Sequence, residues 1–510
     1  MIKKVTLMLF YCFTGFAAMS QNTGFFNNYV PNLQQYSQQT MYIDGPNMII
    51  GGNMFAVVTQ AATVLQTDTN GNFKSMWTLA APSIQLYRCR KQSTNNCIVT
   101  GTMQSACGVS GYGFIGSFNY STGTWNGGYA YDCNAQLGGF CTGMSTMQDG
   151  IALANGDLAC VGEIDQTVTC CLGASSYGQY NCGVGTLFTG GNGYLDGFFG
   201  TGNYERGNDI CLIRTGANGD TATASGGDGF VKKYSLAYSG GAGCGYTNPA
   251  QPTPIGHTTG TFNYVFSPTL VADSTRQDVA VSIIEDANHN MFICGYTYNY
   301  SSNNDYEGFV LKVNSAGATQ WCHTFYLNAT ATAYEYMENM AFVTEDGSND
   351  IICTMESFQS DNTEILRLSN ATGNIIWSNS YNFSTQTWPF GIHLTTNKTI
   401  GTGYNEYLVG VIGVNFPGAP GSYDMAMMVI DDHGNVVSSI GEGMAPQDGA
   451  NWSPDVDQAG TGSYFISSNT PYTGGTTNGS LVAKINRQNN TTGCATYQFA
   501  ATPTITPRIV

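Results

Sequence analysis

Three groups of residues in this chain have types and spacings that could do chemistry. Asp286-Ala287-Asn288-His289-Asn290 spaces oxygen atoms like the first half of a calcium loop, which makes Asp286, Asn288 and Asn290 weak metal candidates. The loop lacks Gly at its sixth position and Glu at its twelfth, so a hairpin turn is the preferred reading. The second group is eleven cysteines: Cys89, Cys97, Cys107, Cys133, Cys141, Cys160, Cys170, Cys171, Cys182, Cys211 and Cys244. They form no CxxC knuckle, and the five histidines show no HxxxH spacing, so zinc finds few ligands. Disulfides cross-linking Gly-rich loops are expected instead, because such links restrict the unfolded chain. Cys294 and Cys353 sit in apolar runs, where a buried thiol is the alternative. The third group is the carboxylates, which could converge from distant segments as they do in glycan hydrolases and lyases. GxSxG, HExxH and GK[ST] are all absent, so no catalytic residue is assigned and no cofactor is expected.

Whatever these residues do, short strands must position them. Apolar runs of four to six residues recur, and several end in Gly: Met48 to Gly52, Cys97 to Gly101, Leu158 to Gly162 and Met291 to Gly295. Ile351 to Thr354, Thr399 to Gly403 and Tyr464 to Ser467 continue the series to seven copies. Such runs are too short for helices and read as buried strands. Each is followed by a hairpin, clearest in Gly308 to Trp321 and Ile365 to Trp377, where Asn and Gly form the tip and Trp is expected to pack back across its own pair. Weaker copies are Val64 to Trp77, Gly113 to Trp125, Gly229 to Tyr234, Asp424 to Val437 and Gly479 to Cys494. A period of roughly 48 to 64 residues suits four short strands per repeat. The expected fold is an all-β β-propeller of about seven four-stranded blades, with eight possible, over residues 21–500. Residues 163–280, rich in Gly, Asn and Cys, read as a cystine-rich insertion or as an eighth blade without an apolar signature. Residues 501–510 read as a C-terminal tail.

The hairpin pattern apolar-x-apolar-[Asp/Asn]-x-x-Gly-x-x-x-Trp, sharpest at 308–321 and 363–377, resembles repeats of the quinoprotein-like propeller superfamily and of secreted β-propeller repeat proteins. The resemblance implies a fold rather than a function. It also raises pyrroloquinoline quinone oxidoreduction, since Cys170-Cys171 is similar to the vicinal disulfide of that superfamily's alcohol dehydrogenases. No acid and amide ligand pattern surrounds the pair. Asp68-Thr69-Asn70-Gly71 with Trp77 is similar to a sialidase-type Asp box, but the Gly-to-Trp spacing differs and the turn reading is preferred.

Composition narrows the setting. The chain has 510 residues, 64 of them Gly, and only 10% are charged, which excludes coiled coils and charge-driven disorder. Residues 1–20 combine Lys3 and Lys4, an apolar run from Val5 to Ala18 and Ala18-Met19-Ser20, the pattern of a cleaved secretory signal. The remaining chain would carry 34 acids against 15 bases, a poor match for nucleic acid or an anionic membrane. It would also hold 15 cysteines, an odd number. Glycosylation sequons include Asn119, Asn299, Asn328, Asn370, Asn382, Asn397, Asn451 and Asn478. Tyr-Gly loops such as Tyr177 to Tyr180 offer aromatic surface to a sugar or protein. The expectation is a secreted or cell-surface protein, non-enzymatic, that binds an extracellular protein or glycan or assembles with itself in adhesion or a filament. An extracellular glycan-active enzyme is the alternative, ahead of a quinoprotein.

Overall fold

The computed structural model describes residues 25–29, 35–55, 60–79, 84–104, 111–131, 145–153, 156–165, 180–187, 193–199, 207–213, 220–225, 230–235, 262–265, 278–298, 306–314, 318–325, 335–343, 348–357, 362–414, 423–442, 455–459, 463–471, 478–486, 498–499 and 504–507. These residues contain no helix and form eight antiparallel sheets, as expected of propeller blades. Seven sheets follow chain order. The first is Gln35–Asp44, Asn47–Phe55, Gln60–Asp68 and Phe73–Thr78, and the second is Ile84–Ser93, Asn96–Gln104, Gly111–Asn119 and Thr124–Tyr131. The third is Ser145–Ala152, Leu158–Asp165, Tyr180–Leu187 and Gly193–Phe199, and the fourth is Gly207–Ile213, Asp220–Ser225, Phe230–Ser235 and Phe262–Val265. The fifth is Asp278–Glu285, Met291–Tyr298, Tyr306–Val313 and Thr319–Phe325, and the sixth is Glu335–Val343, Asp350–Ser357, Asn362–Leu368 and Ile375–Asn382. The seventh is Thr387–Lys398, Asn405–Val414, Tyr423–Asp431 and Val436–Glu442. The eighth joins the chain's two ends, with Asp455–Ala459, Ser463–Pro471 and Asn478–Asn486 completed by Phe25–Tyr29.

Two expectations change. Thr399 to Gly403 is a turn rather than a strand, because Gly401 and Gly403 take positive φ; the strand forms from the apolar run beginning at Tyr407. Asn478–Asn486 pairs with Phe25–Tyr29 instead of closing a hairpin toward Cys494. The stretch 163–280 carries strands, supplying half of the third sheet and the whole of the fourth. The second strand of the fourth sheet, Asp220–Ser225, lacks the apolar run that marks the second strands found from sequence. In addition, Gln498–Phe499 and Thr504–Pro507 add fifth strands to the seventh and sixth sheets, so part of the expected tail is paired. Residues 1–20 lie outside the described residues.

Side chains alternate between two neighbouring sheets, which explains the unbroken apolar runs: a strand covered on both faces has no polar side. Leu408 packs with Tyr464 and Ile466 of the eighth sheet, while Tyr407 and Val409 pack with Ile352 and Tyr381 of the sixth. Met41, Met48 and Ile50 of the first sheet share a core with Phe465 and Val482 of the eighth.

The glycine that ends these runs has a steric cause. In seven sheets the leading strand shifts register by one residue, leaving Gln39, Tyr87, Gln148, Asn208, Val281, Glu338 and Phe390 outside the ladder. Each is a β-bulge, which bends the strand and re-aims its side chains. The bend drives a carbonyl oxygen to 1.8 Å from where a Cβ would sit on Gly162 or Gly295, so only glycine fits there.

Trp125 packs back edge-on against Phe114 and Phe118 of its own hairpin, and Trp321 against Phe292 of its own sheet, as expected; three tryptophans also dock on the next sheet. Trp77 Nε1 donates to the Tyr120 carbonyl at 2.7 Å, Trp321 to Asn370 at 3.0 Å and Trp377 to Asp432 at 2.9 Å. A third-strand cation repeats the reach: Lys312 Nζ donates to the Asn370 carbonyl, Arg367 to that of Asp432, and Lys484 of the eighth sheet to that of Thr69 in the first.

Candidate functional site

The sheets differ at their two ends. Turns joining first to second and third to fourth strands are two to six residues long, apart from residues 236–261. At the opposite end the connections reach fourteen residues, as in 166–179, and most lie outside the described residues. Long loops on a rigid scaffold commonly carry binding residues.

Leading strands bring charges together from segments far apart in sequence. Asp149, its carboxylate fully buried, follows the bulge of the third sheet's leading strand; Arg88 follows that of the second. Arg90 Nη2 lies 2.6 Å and Arg88 Nε 3.9 Å from the Asp149 carboxylate. The Arg88 side chain is exposed and that of Arg90 half-buried, so one buried anion draws in two cations from the neighbouring strand. On the other side of the same strand, Lys91 Nζ reaches Asp44 of the first sheet at 2.9 Å. Asp44 also accepts the Tyr120 hydroxyl and, at 3.1 Å, the Asn95 N–H. Burial pushes its carboxyl up, but these donors outweigh burial and hold it below the usual carboxylate value.

Asp457, on the leading strand of the eighth sheet, links three sheets. It accepts the Ile43 N–H at 2.7 Å from the first sheet and lies 3.7 Å from His393 Nε2 of the seventh. Here burial prevails over His393, the Gln458 and Ile43 N–H groups and Lys91, and the carboxyl is raised.

The structure places Asp286, Asn288 and Asn290 in a tight turn. Asp286 Oδ1 accepts the N–H groups of Asn288 and Asn290, and Oδ2 accepts the Asn290 amide. Asp68 with Asn70 and Asn72 is wired identically, as is Asp431 with His433 and Asn435. In all three, carboxylate oxygens that could hold a cation instead satisfy turn backbone. Potential ligand atoms of Asp431, Asp432 and His433 lie within 4.8 Å of one another, a grouping not noted from sequence. It belongs to the same turn, and Asp432 Oδ1 contacts His433 Nδ1 at 2.7 Å.

Cys89 and Cys97 face one core from adjacent strands as hydrogen-bonded thiols rather than a bridge; that bond and burial push the Cys89 thiol well up. Cys160 is buried, as are Cys294 and Cys353. The side chains of Cys107, Cys133, Cys141, Cys170, Cys171, Cys182, Cys211 and Cys244 lie outside the described residues. Asn397 is a poor glycan acceptor, since its buried amide donates to Tyr464 Oη at 2.7 Å. Asn370 is engaged by Lys312 and donates to the Asn349 carbonyl, Asn119 caps a turn, and Asn382 is exposed. The side chains of Asn299, Asn328, Asn451 and Asn478, and residues 177–179, lie outside the described residues.

Sequence reasoning found none of the leading-strand pairs. Arg88, Arg90 and Lys91 do stand close together in a chain with only 17 basic residues, and that clustering was the available signal. No helix among the described residues is long and apolar enough to cross a membrane.

No family model and no curated protein sequence matches the chain. Among solved structures, a protein of unknown function from Dyadobacter fermentans DSM 18053 is similar at 8% identity and a TM-score of 0.35, covering 91% of this chain and 98% of that one. Polysaccharide lyase Uly1 aligns at 7% identity and a TM-score of 0.39, covering 88% of this chain and 90% of that one. Phage phi92 endosialidase aligns at 10% identity and 0.34, covering 91% and 69% respectively.

Proposed function

We propose that the eight sheets are blades of one closed β-propeller, and that the protein works outside the cell as a non-enzymatic binding or surface-structural ring, engaging a protein, a glycan or another copy of itself. Closure is supported by the leading strands, each of which touches the next, with Asp455–Ala459 of the eighth sheet touching Gln35–Asp44 of the first. The Phe25–Tyr29 strand and the Lys484 contact act across the same junction. The extracellular setting rests on the leader pattern of residues 1–20.

One observation carries the choice of binding over turnover: among the described residues, Asp44, Asp149 and Asp457, three carboxylates on leading strands, each face a basic group across a sheet junction. Engaged in this way they join sheets, whereas a hydrolase needs a pair of carboxyls directed at one bond.

Purified protein should be screened against a glycan panel, followed by light scattering for self-association, and assayed for sugar cleavage and quinone-linked dye reduction. Saturable binding or ordered assembly without turnover is expected. Turnover abolished by replacing one of these carboxylates would overturn the reading in favour of a glycan-active enzyme. Ten or more free thiols in denatured, unreduced protein would overturn the extracellular setting.

A further inference from the structure

We propose that two copies of this chain pair edge to edge through Thr124–Tyr131, the fourth strand of the second sheet, so that the two sheets run on as one. The inference rests on the reading of a ring that binds another copy of itself, and it names the surface.

Each sheet ends, opposite its leading strand, in a far edge whose backbone N–H and C=O groups a further strand can use. The chain shows that its own far edges accept one. Thr504–Pro507 pairs with Asn379–Asn382 at the edge of the sixth sheet, and Gln498–Phe499 pairs with Gly441 and Glu442 at the edge of the seventh. Ile375–Asn382 and Thr124–Tyr131 are the longest far-edge strands among the described residues, at eight residues each, and neither carries a charged residue. Charges are a usual guard against unwanted pairing. Lys74, Asp196 and Glu442 supply one to the far edges of the first, third and seventh sheets, and His323 gives the fifth a titratable ring. Phe262–Val265 and Phe25–Tyr29, of the fourth and eighth, are shorter, at four and five residues. Of the two long unguarded edges, the chain covers the sixth itself. Among the described residues no strand lies beyond Thr124–Tyr131.

Charge selects a second copy as the occupant. The protein holds 34 acids against 17 bases, so copies repel wherever acidic surfaces meet. Residues 92–131 contain no Asp, Glu, Lys, Arg or His, and they supply three of the four strands of the second sheet. A strand paired antiparallel with its own copy about a two-fold axis sets like residues near like, which a charged edge opposes and this one permits. The strand is also accessible. Thr124, Trp125, Asn126 and Gly128 are exposed, and a Cβ on Gly127 would meet nothing within 4 Å, so the sheet face at that point is open. The Trp125 ring, 37% exposed, is already held edge-on by Phe114 and Phe118 and offers ordered aromatic surface beside the paired backbone.

The test is sedimentation velocity on the mature chain over a range of concentrations, with hydrogen exchange measured on the same samples. A concentration-dependent dimer is expected, strengthened by added salt because the acidic copies repel, with the amides of Thr124–Tyr131 exchanging more slowly in the dimer than in the monomer. Gly127→Lys should weaken the dimer by about ten-fold or more at an unchanged melting temperature, since the new side chain enters open space in the monomer and meets its own copy's charge in the dimer. Thr124→Lys, at an exposed position of the same strand, should act in the same direction. Ile400→Lys adds the same charge at an 82% exposed site in the first turn of the seventh sheet and should leave the dimer as it is. A chain that stays monomeric at every concentration, or a dimer unchanged in both strand variants, would overturn the inference and leave the binding-ring reading standing. Exchange at Thr124–Tyr131 as slow in the monomer as in the dimer would mean that another segment of the chain covers the edge, and would overturn it too. Glycan turnover by a protein whose dimer Gly127→Lys breaks would do the reverse, sinking the binding-ring reading alone.

Discussion

The two ends of the sheets solve different problems. At the turn end, chain reversals are short, and Asp68, Asp286 and Asp431 each close one with the same carboxylate-to-backbone pattern. Trp77, Trp321 and Trp377 then dock on turns of the following sheet, so each reversal is also a joint. At the loop end, seven leading strands bulge within their first residues, and connections vary from four residues to fourteen. The turn end repeats because the same tryptophan and cation contacts recur there between sheets. The loop end also joins sheets, through Arg90 with Asp149 and Asn53 with Leu86, but by contacts that differ from junction to junction, and the bulges near it re-aim side chains such as Arg88 and Asp149. Substitutions at turns and bulges should therefore move stability.

The largest effect is expected at a bulge. Gly295→Ala places a Cβ 1.8 Å from the Val279 carbonyl oxygen, a backbone atom that cannot yield cheaply. A loss on the order of 3 kcal/mol or more is expected in urea unfolding; wild-type stability would break the steric account of the glycine-ended runs. Trp377→Ala, at the other end, should cost about 3 kcal/mol by removing a packed ring and its bond to Asp432. Trp377→Phe should cost about 1 kcal/mol, mostly for the lost N–H donor. Equal losses in the two variants would show that packing of the distal ring, and not the joint to the next sheet, is what matters.

Smaller changes separate the turns from a metal site. Asp286→Ala should cost about 1 kcal/mol, the usual scale for losing a carboxylate that caps backbone N–H groups. Added calcium or a chelator should leave the wild-type melting temperature in place; a calcium-dependent rise lost in the variant would restore the metal reading. The smallest effects distinguish two leading-strand carboxylates by sign. Asp44 has a depressed pKa, so its stabilisation is present above the ordinary carboxylate value and fades as pH falls through its lower folded value. Asp457 has a raised pKa, so folding is penalised as pH climbs from the ordinary value through the raised one. Melting curves from pH 3 to 7 should show Asp44→Asn losing most at the upper end and Asp457→Asn losing least there. The same trend in both would contradict the assignment.

The sequence alone determined that the chain is built from short strands buried on both faces, because unbroken apolar runs bounded by Gly, Asn and Asp have few other solutions. Six of the seven runs are second strands of their sheets, and the hairpins at 308–321 and 363–377 are third and fourth strands. Thr399 to Gly403 misled because apolar content without a conformational test does not separate a strand from a Gly turn; the positive φ of Gly401 and Gly403 did. Residues 163–280 were opaque since Gly and Thr fill strands there and erase the periodic signal. Tertiary structure alone decided where each tryptophan docks, which bulge demands which glycine, and that Arg88 meets Asp149. Local pattern reports which face a side chain takes, and a contact 61 residues distant in the chain depends on how one sheet is laid against the next.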